Sequence, residues 1–147
     1  MNTNNEKTDA AIVVRDLHRR FGQHEVLRGV NLDCPCGEIT SIVGPSGCGK
    51  TVLLKHLSLL LRPDSGQIII DGIEVTKLSL RELDKVREKF GMLFKGGALF
   101  DSLTVFDNVA LPLVEKTHMS RDEMRDASAK CCASWDLRGW RISIPRN

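Results

Sequence analysis

The segment from residue 44 to residue 51 constrains the fold more than any other part of the chain. It reads GPSGCGKT and fits the pattern G-x-x-x-x-G-K-[ST] without a mismatch. The short apolar run SIV precedes it. Leucines follow at the spacing of one helix face, namely Leu53, Leu54, Leu57, Leu60 and Leu61. The pattern predicts a strand over 38–44, a glycine-rich loop, and a helix that begins near Lys50, which is the local order of an α/β fold.

The residue types of this loop suit the binding of nucleotide phosphates. Glycines let successive backbone N–H groups turn towards one anion, and the positive end of the following helix points at the same place. Lys50 is predicted to reach the β- and γ-phosphates, and the Thr51 hydroxyl is predicted to coordinate Mg²⁺. Cys48 is expected to contribute its backbone, so that its thiol is incidental. The predicted phosphate site comprises Gly44, Pro45, Ser46, Gly47, Cys48, Gly49, Lys50 and Thr51.

Composition indicates an ordinary globular domain and excludes several classes of protein. The 147 residues carry a net charge of only +2, which argues against a nucleic-acid partner. Five cysteines, an odd number without any C-x-x-C pair, argue against a disulfide framework and against a zinc site. The sequence shows neither a signal peptide nor an apolar run long enough to span a membrane. We therefore expect a cytosolic protein with reduced thiols and a disordered segment over 1–10.

The remaining elements are predicted from short-range signals. A short β-rich run, AIVV, predicts a strand over 11–14, and alternating apolar and polar residues predict a strand over 25–34. MLF at 92–94 is a further strand candidate. Asp71-Gly72 lies between two β-rich runs and predicts a hairpin turn. Three helices are predicted from capping pairs, which are Ser79 with Glu82, Thr104 with Asp107, and Ser120 with Glu123.

Asp71 is the residue with two competing interpretations. IIID, at 68–71, is similar to the apolar strand that ends in a Mg²⁺-binding aspartate in P-loop enzymes. However, Gly72 and a second β run follow directly, so that the turn explains Asp71 better. No later apolar strand ends in an acidic residue, and we assign no catalytic residue.

The order of three segments resembles the ATP-binding subunits of ABC transporters. The segments are LHRRFGQHEVLRGVNLDCPCGEITSIVGPSGCGKTVLLKHL, PDSGQIIIDG and GMLFKGGALFDSLTVFDNVALPL. The last one resembles most of all the ATPase of bacterial Mla/Mce-type lipid transporters. The resemblance covers 11–139. It implies an α/β P-loop NTPase fold of the ABC type, with an antiparallel β subdomain and an incomplete parallel-sheet core covered by helices.

The resemblance also implies roles for two residues outside the loop. Phe21, before Gly22, stands where the family places an aromatic ring that stacks on adenine; the alternative is a phenylalanine that only packs. Lys95 stands where the family has a glutamine whose carbonyl contacts Mg²⁺ and the attacking water. Because lysine has three donors and no acceptor, Lys95 cannot replace that ligand. It either pairs with the γ-phosphate or points to solvent, and we expect the second.

The end of the chain departs from the family pattern. After DLRG, at 136–139, the family continues to a signature segment, an Asp-Glu strand and a switch histidine, whereas this chain reads WRISIPRN at 140–147. We therefore expect a C-terminally truncated ABC domain with a tail over 140–147 that does not belong to the family. ATP binding is expected, and hydrolysis is not.

The resemblance implies a subunit of a lipid or phospholipid transporter on the cytoplasmic face of the cell membrane. Its expected ligands are ATP and Mg²⁺. Its expected partners are an integral-membrane permease, an Mce-type substrate-binding protein and a second ATP-binding subunit, with residues 95–106 facing the permease. Two alternatives stay open. One is an ATP-binding fragment without catalysis, and the other is a stand-alone P-loop kinase that uses Asp71.

Overall fold

The computed structural model describes residues 10–135, which divide between Met92 and Leu93 into two compact units. The tail predicted over 140–147 lies outside the described residues. So does most of the segment predicted to be disordered, although Ala10 is the first residue of a strand.

The N-terminal unit is built on a four-stranded antiparallel sheet. The strands are β1 (Ala10–Phe21), β2 (His24–Pro35), β3 (Ser65–Ile70) and β4 (Ile73–Glu74), in the order β2-β1-β3-β4. The strand predicted over 11–14 is therefore longer than its apolar start suggested, because β1 pairs with β2 along its whole length. The predicted antiparallel subdomain is confirmed.

The turn between β3 and β4 has the predicted hairpin form. Asp71 and Gly72 have φ values of 49° and 78°, and a two-residue turn with both φ values positive follows the twist of the flanking strands. The Asp71 carboxylate also accepts a hydrogen bond of 2.7 Å from the Lys89 ammonium. Asp71 is thus a turn residue with a lysine partner.

Two helices and one short 3₁₀ turn complete the N-terminal unit. Helix α1 spans Lys50–Leu57, the 3₁₀ turn spans Val75–Lys77, and α2 spans Leu80–Arg87. The apolar residues of the sheet and of these helices form one core: Val14, Leu17, Leu27, Leu53, Leu57, Leu59, Ile68, Ile70, Val75, Leu83 and Val86. This core fixes α1 and therefore the loop that precedes it.

Helix α1 is shorter than the leucine pattern predicted. Leu59 has a left-handed φ of 60°, and the amides of Leu59 and Leu60 donate to the carbonyls of His56 and Lys55, at 3.0 and 2.8 Å. These two bonds form the motif that commonly ends helices, although glycine usually holds the left-handed position. Leu60 therefore lies beyond the helix and is half exposed.

The predictions of strands over 38–44 and 92–94 are wrong. Neither segment is a strand, and Ile39 and Val43 are 97% and 91% exposed. A strand needs a hydrogen-bonded neighbour, and among residues 10–135 these two segments have none. The antiparallel sheet and the helices therefore give a mixed α/β fold, and its described part contains no parallel strand pair.

The C-terminal unit contains two packed helices, α3 (Val105–Lys116) and α4 (Arg121–Ser134). The predicted caps are confirmed at the start of α2, α3 and α4, where Ser79, Thr104 and Ser120 accept from the amide three residues on. The buried side chains of α4 are Ser128 and Cys132. In the described part of the chain, no helix is both long enough and apolar enough to cross a membrane.

Candidate nucleotide-binding site

The loop before α1 ends at a helix N-terminus that no side chain of the described residues caps. Gly49 is the N-cap residue with a φ of 98°, and the first turn of α1 carries no acidic residue. The first amides of a helix have no carbonyl partner within the helix, and its dipole makes this end positive. The N-terminus of α1 therefore offers donors and positive potential to an anion.

Gly49 is required by close packing as well as by its backbone angle. A Cβ at this position would lie 3.1 Å from Val26 Cγ1, 3.2 Å from the Val26 carbonyl oxygen and 3.3 Å from Leu27 Cδ2. The loop backbone thus rests directly on β2, with no room for a side chain. This contact holds the loop in a position that the core determines.

The ammonium of Lys50 lies within the loop. Its Nζ donates to the carbonyl oxygens of Gly44 and Pro45, at 2.8 and 2.7 Å, and lies 3.8 Å from Cys48 Sγ. These bonds hold the positive charge inside the curve of the backbone. Thr51 is exposed on the first turn of α1.

A cavity of about 280 Å³ adjoins the loop. It is lined by Thr40, Ile42, Lys50, Thr51 and Leu54. The side chains that line it supply one ammonium, from Lys50, and two hydroxyls, from Thr40 and Thr51. Together with the uncapped N-terminus of α1, this donor set fits the phosphates and the Mg²⁺ of Mg·ATP.

Phe21 lies at the end of β1 and is 43% exposed, so that it is not a core residue. The guanidinium of Arg19 lies over its ring, with Cζ 4.7 Å from the ring centroid. Arg19 in turn donates from Nη1 to Asp64 Oδ1 at 2.8 Å. Arg19 and Asp64 lie 45 residues apart in the chain, so that no local sequence pattern indicates their contact.

The carboxylate of Asp64 has two donors at the end of β1. Its Oδ2 accepts from the backbone N–H of Arg20 at 2.7 Å, in addition to the bond from Arg19. The Arg20 amide, followed by the charge and hydrogen bond of Arg19, lowers the pKa of Asp64 below its usual value. Asp64 is therefore ionised at neutral pH.

Lys95 lies in the C-terminal unit, where it is exposed in a turn. This placement agrees with a side chain that points to solvent. Its role in contact with a nucleotide or a partner stays a prediction. The five cysteines are free thiols, as expected.

The loop, the helix and the sheet define the class of P-loop nucleotide-binding proteins. A family model described as "ABC transporter" matches residues 27–142, which is more than half of the chain. The chain belongs to the ABC transporter family. The resemblance deduced from the ordered segments is confirmed.

Curated relatives and solved structures agree with this family. The chain is 46% identical over 135 residues to the "probable ribonucleotide transport ATP-binding protein mkl" of Mycobacterium tuberculosis, covering 92% of the chain and 38% of that protein. It is 41% identical over 134 residues to the "intermembrane phospholipid transport system ATP-binding protein MlaF" of Haemophilus influenzae, covering 91% and 51%. The chain thus spans between about a third and half of the length of these relatives.

A solved structure shows the same fold. The dimeric ATP-binding cassette MJ0796, in a post-hydrolysis state bound to ADP and Pi, matches with a TM-score of 0.75 and 32% sequence identity. The match covers 91% of this chain and 61% of that protein. The fold is therefore that of an ABC ATPase cassette, as predicted from the sequence.

Proposed function

We propose that this chain binds Mg·ATP through residues 44–51 and serves as the ATP-binding part of an ABC transporter. The observation that carries the proposal is the loop itself. Its backbone rests against β2 at Gly49, two of its carbonyls accept from the Lys50 ammonium, and the uncapped N-terminus of α1 follows it. Family membership and the cassette fold support the same function.

Each group of the site has a separate task. The amides of 44–51 and the N-terminus of α1 bind phosphate oxygens, and Lys50 neutralises their charge. The Thr51 hydroxyl holds the Mg²⁺. The ring of Phe21 gives adenine a face to stack on. When bound, ATP supplies the triphosphate and the base that these groups hold.

The transported substrate that we propose is a lipid or phospholipid. The 41% sequence identity to MlaF, over 91% of the chain, supports this substrate, as do the GALF and TVFDNV segments. The proposed partners are a membrane permease, an Mce-type substrate-binding protein and a second ATP-binding subunit. The proposed location is the cytoplasmic face of the cell membrane. A ribonucleotide is the second candidate substrate, which the similarity to mkl favours.

Two other functions are an ATP-binding fragment without catalysis and a stand-alone P-loop kinase. Binding of ATP without hydrolysis uses the same loop, and phosphate release distinguishes it from an active ATPase. A stand-alone kinase requires Asp71 as a Mg²⁺ ligand. Asp71 instead lies in a hairpin turn and pairs with Lys89, so that the kinase has no support from the described residues.

ATP binding by the purified 147-residue chain tests the proposal. We expect saturable Mg·ATP binding, measured by isothermal titration calorimetry, that Lys50→Ala weakens at least tenfold, since a charge-assisted hydrogen bond contributes on the order of 1.5–3 kcal/mol. Lys55→Ala is the matched control, since Lys55 lies on the same helix but further from the loop. Equal affinity of the Lys50→Ala variant and the wild type would refute the proposed site.

A further inference from the structure

We infer that Arg19, held by Asp64, is a positioning residue that orients Phe21 for contact with the nucleotide base. The inference rests on the proposed function, since it concerns the same nucleotide. The observation behind it is a continuous set of contacts from the turn after α1 to the aromatic ring.

The first contact is between the guanidinium and the ring. Arg19 Cζ lies 4.7 Å from the centroid of the Phe21 ring, within the range of a cation–π interaction. Phe21 nevertheless keeps 43% of its surface exposed. Arg19 therefore covers one face of a partly exposed ring, and the base is proposed to stack on its exposed part.

The second set of contacts fixes the guanidinium. Arg19 Nη1 donates to Asp64 Oδ1 at 2.8 Å and to the Arg62 carbonyl at 3.1 Å. Both N–H groups of Nη1 therefore have an acceptor, and because the donors of a guanidinium are coplanar, these two bonds define its plane. The orientation of the Arg19 guanidinium over the Phe21 ring is thus set by Arg62 and Asp64, in the turn that follows α1.

The third set of contacts ties this turn to β1. The Asp64 amide donates to the His18 carbonyl at 3.0 Å, and Asp64 Oδ2 accepts from the Arg20 amide at 2.7 Å. Asp64 therefore bonds to the backbone on both sides of Arg19. Arg62 and Asp64 lie five and seven residues after the end of α1, on the connection that leads from the helix of the phosphate loop to β3.

A comparison of two ligands separates positioning from general stability. ATP contains a base, and inorganic tripolyphosphate does not. We expect Arg19→Gln to weaken ATP binding by about 2- to 10-fold, the size of a cation–π contact, and to leave tripolyphosphate binding unchanged. Arg19→Lys keeps a cation and is expected to recover part of the affinity for ATP. Arg28→Gln, on the exposed surface of β2, is the matched control and should change neither ligand.

A double-mutant cycle tests the route through Phe21. In the Phe21→Ala background we expect Arg19→Gln to have no further effect on ATP binding, because the ring on which it acts is gone. Equal weakening of both ligands by Arg19→Gln would refute positioning, as would additive effects of the two substitutions. Unchanged ATP affinity in Arg19→Gln would refute it as well.

The same experiment distinguishes failure of the inference from failure of the proposed function. If the wild-type chain binds neither ATP nor tripolyphosphate, the proposed function fails and the inference fails with it. If Lys50→Ala loses both ligands while Phe21→Ala affects neither, the phosphate site stands. The base contact, and with it the role of Arg19, is then wrong.

Discussion

Replacing Gly49 with alanine should destabilise the chain through two separate effects. The backbone φ of 98° is costly for any residue with a Cβ, on the order of 1–3 kcal/mol. The new Cβ would also lie 3.1–3.3 Å from Val26 and Leu27, and crowding of a packed site costs roughly another 1–3 kcal/mol. The lower conformational entropy of the unfolded alanine chain offsets about 0.4–1 kcal/mol. The expected loss is therefore about 1–6 kcal/mol.

Gly47→Ala is the matched control for the crowding effect. Gly47 has a φ of 83°, but a Cβ there would have no atom within 4 Å. The Gly47→Ala variant should therefore lose only the free energy of the unfavourable backbone conformation. Gly49→Ala should be less stable than Gly47→Ala by roughly 1–3 kcal/mol, the cost of crowding. Urea denaturation without nucleotide, followed by far-UV circular dichroism, measures both variants. Equal free energies of unfolding would show that the loop does not rest on β2 as described.

Three further results are expected. Ser79→Ala removes the acceptor of the Glu82 amide and should lower the free energy of unfolding by about 1 kcal/mol in urea denaturation, whereas Ser79→Thr, which keeps the hydroxyl, should retain most of the stability. Asp64→Asn should destabilise the chain at pH 7, because the pKa of Asp64 is lowered in the folded state. This loss of stability should shrink as the pH falls through and below the ordinary carboxyl pKa of about 3.9. A loss that does not depend on pH would contradict a stabilising role of the Asp64 charge. Burial raises the pKa of the Cys132 thiol, so iodoacetamide should label the exposed Cys131 first and Cys132 only on unfolding, as read by tandem mass spectrometry.

Signals confined to a few neighbouring residues predicted the local structure well. The three helix starts followed from a hydroxyl and an acidic residue three positions later, and the β3–β4 turn followed from Asp71-Gly72. The phosphate loop follows from its own spacing and from the helix that begins at Lys50. In each case the partners are close in sequence, so that the pattern contains the interaction itself.

Features that depend on distant partners were not predictable in the same way. The apolar residues of 38–44 have strand propensity, but no neighbouring strand pairs with them in the described chain. Helix α1 ends at Leu57 because Leu59 takes a left-handed conformation, which the leucine spacing does not reveal. The Arg19–Asp64 contact joins β1 to a turn 45 residues later, and only the folded chain shows it.

Hydrogen–deuterium exchange with and without Mg·ATP tests most directly whether the backbone of the loop binds the phosphates. The account predicts that ATP slows exchange at the amides of 44–51 and of the first turn of α1, and that Lys50→Ala removes this protection. Unchanged exchange in this segment at saturating ATP, or protection that survives in Lys50→Ala, would contradict it.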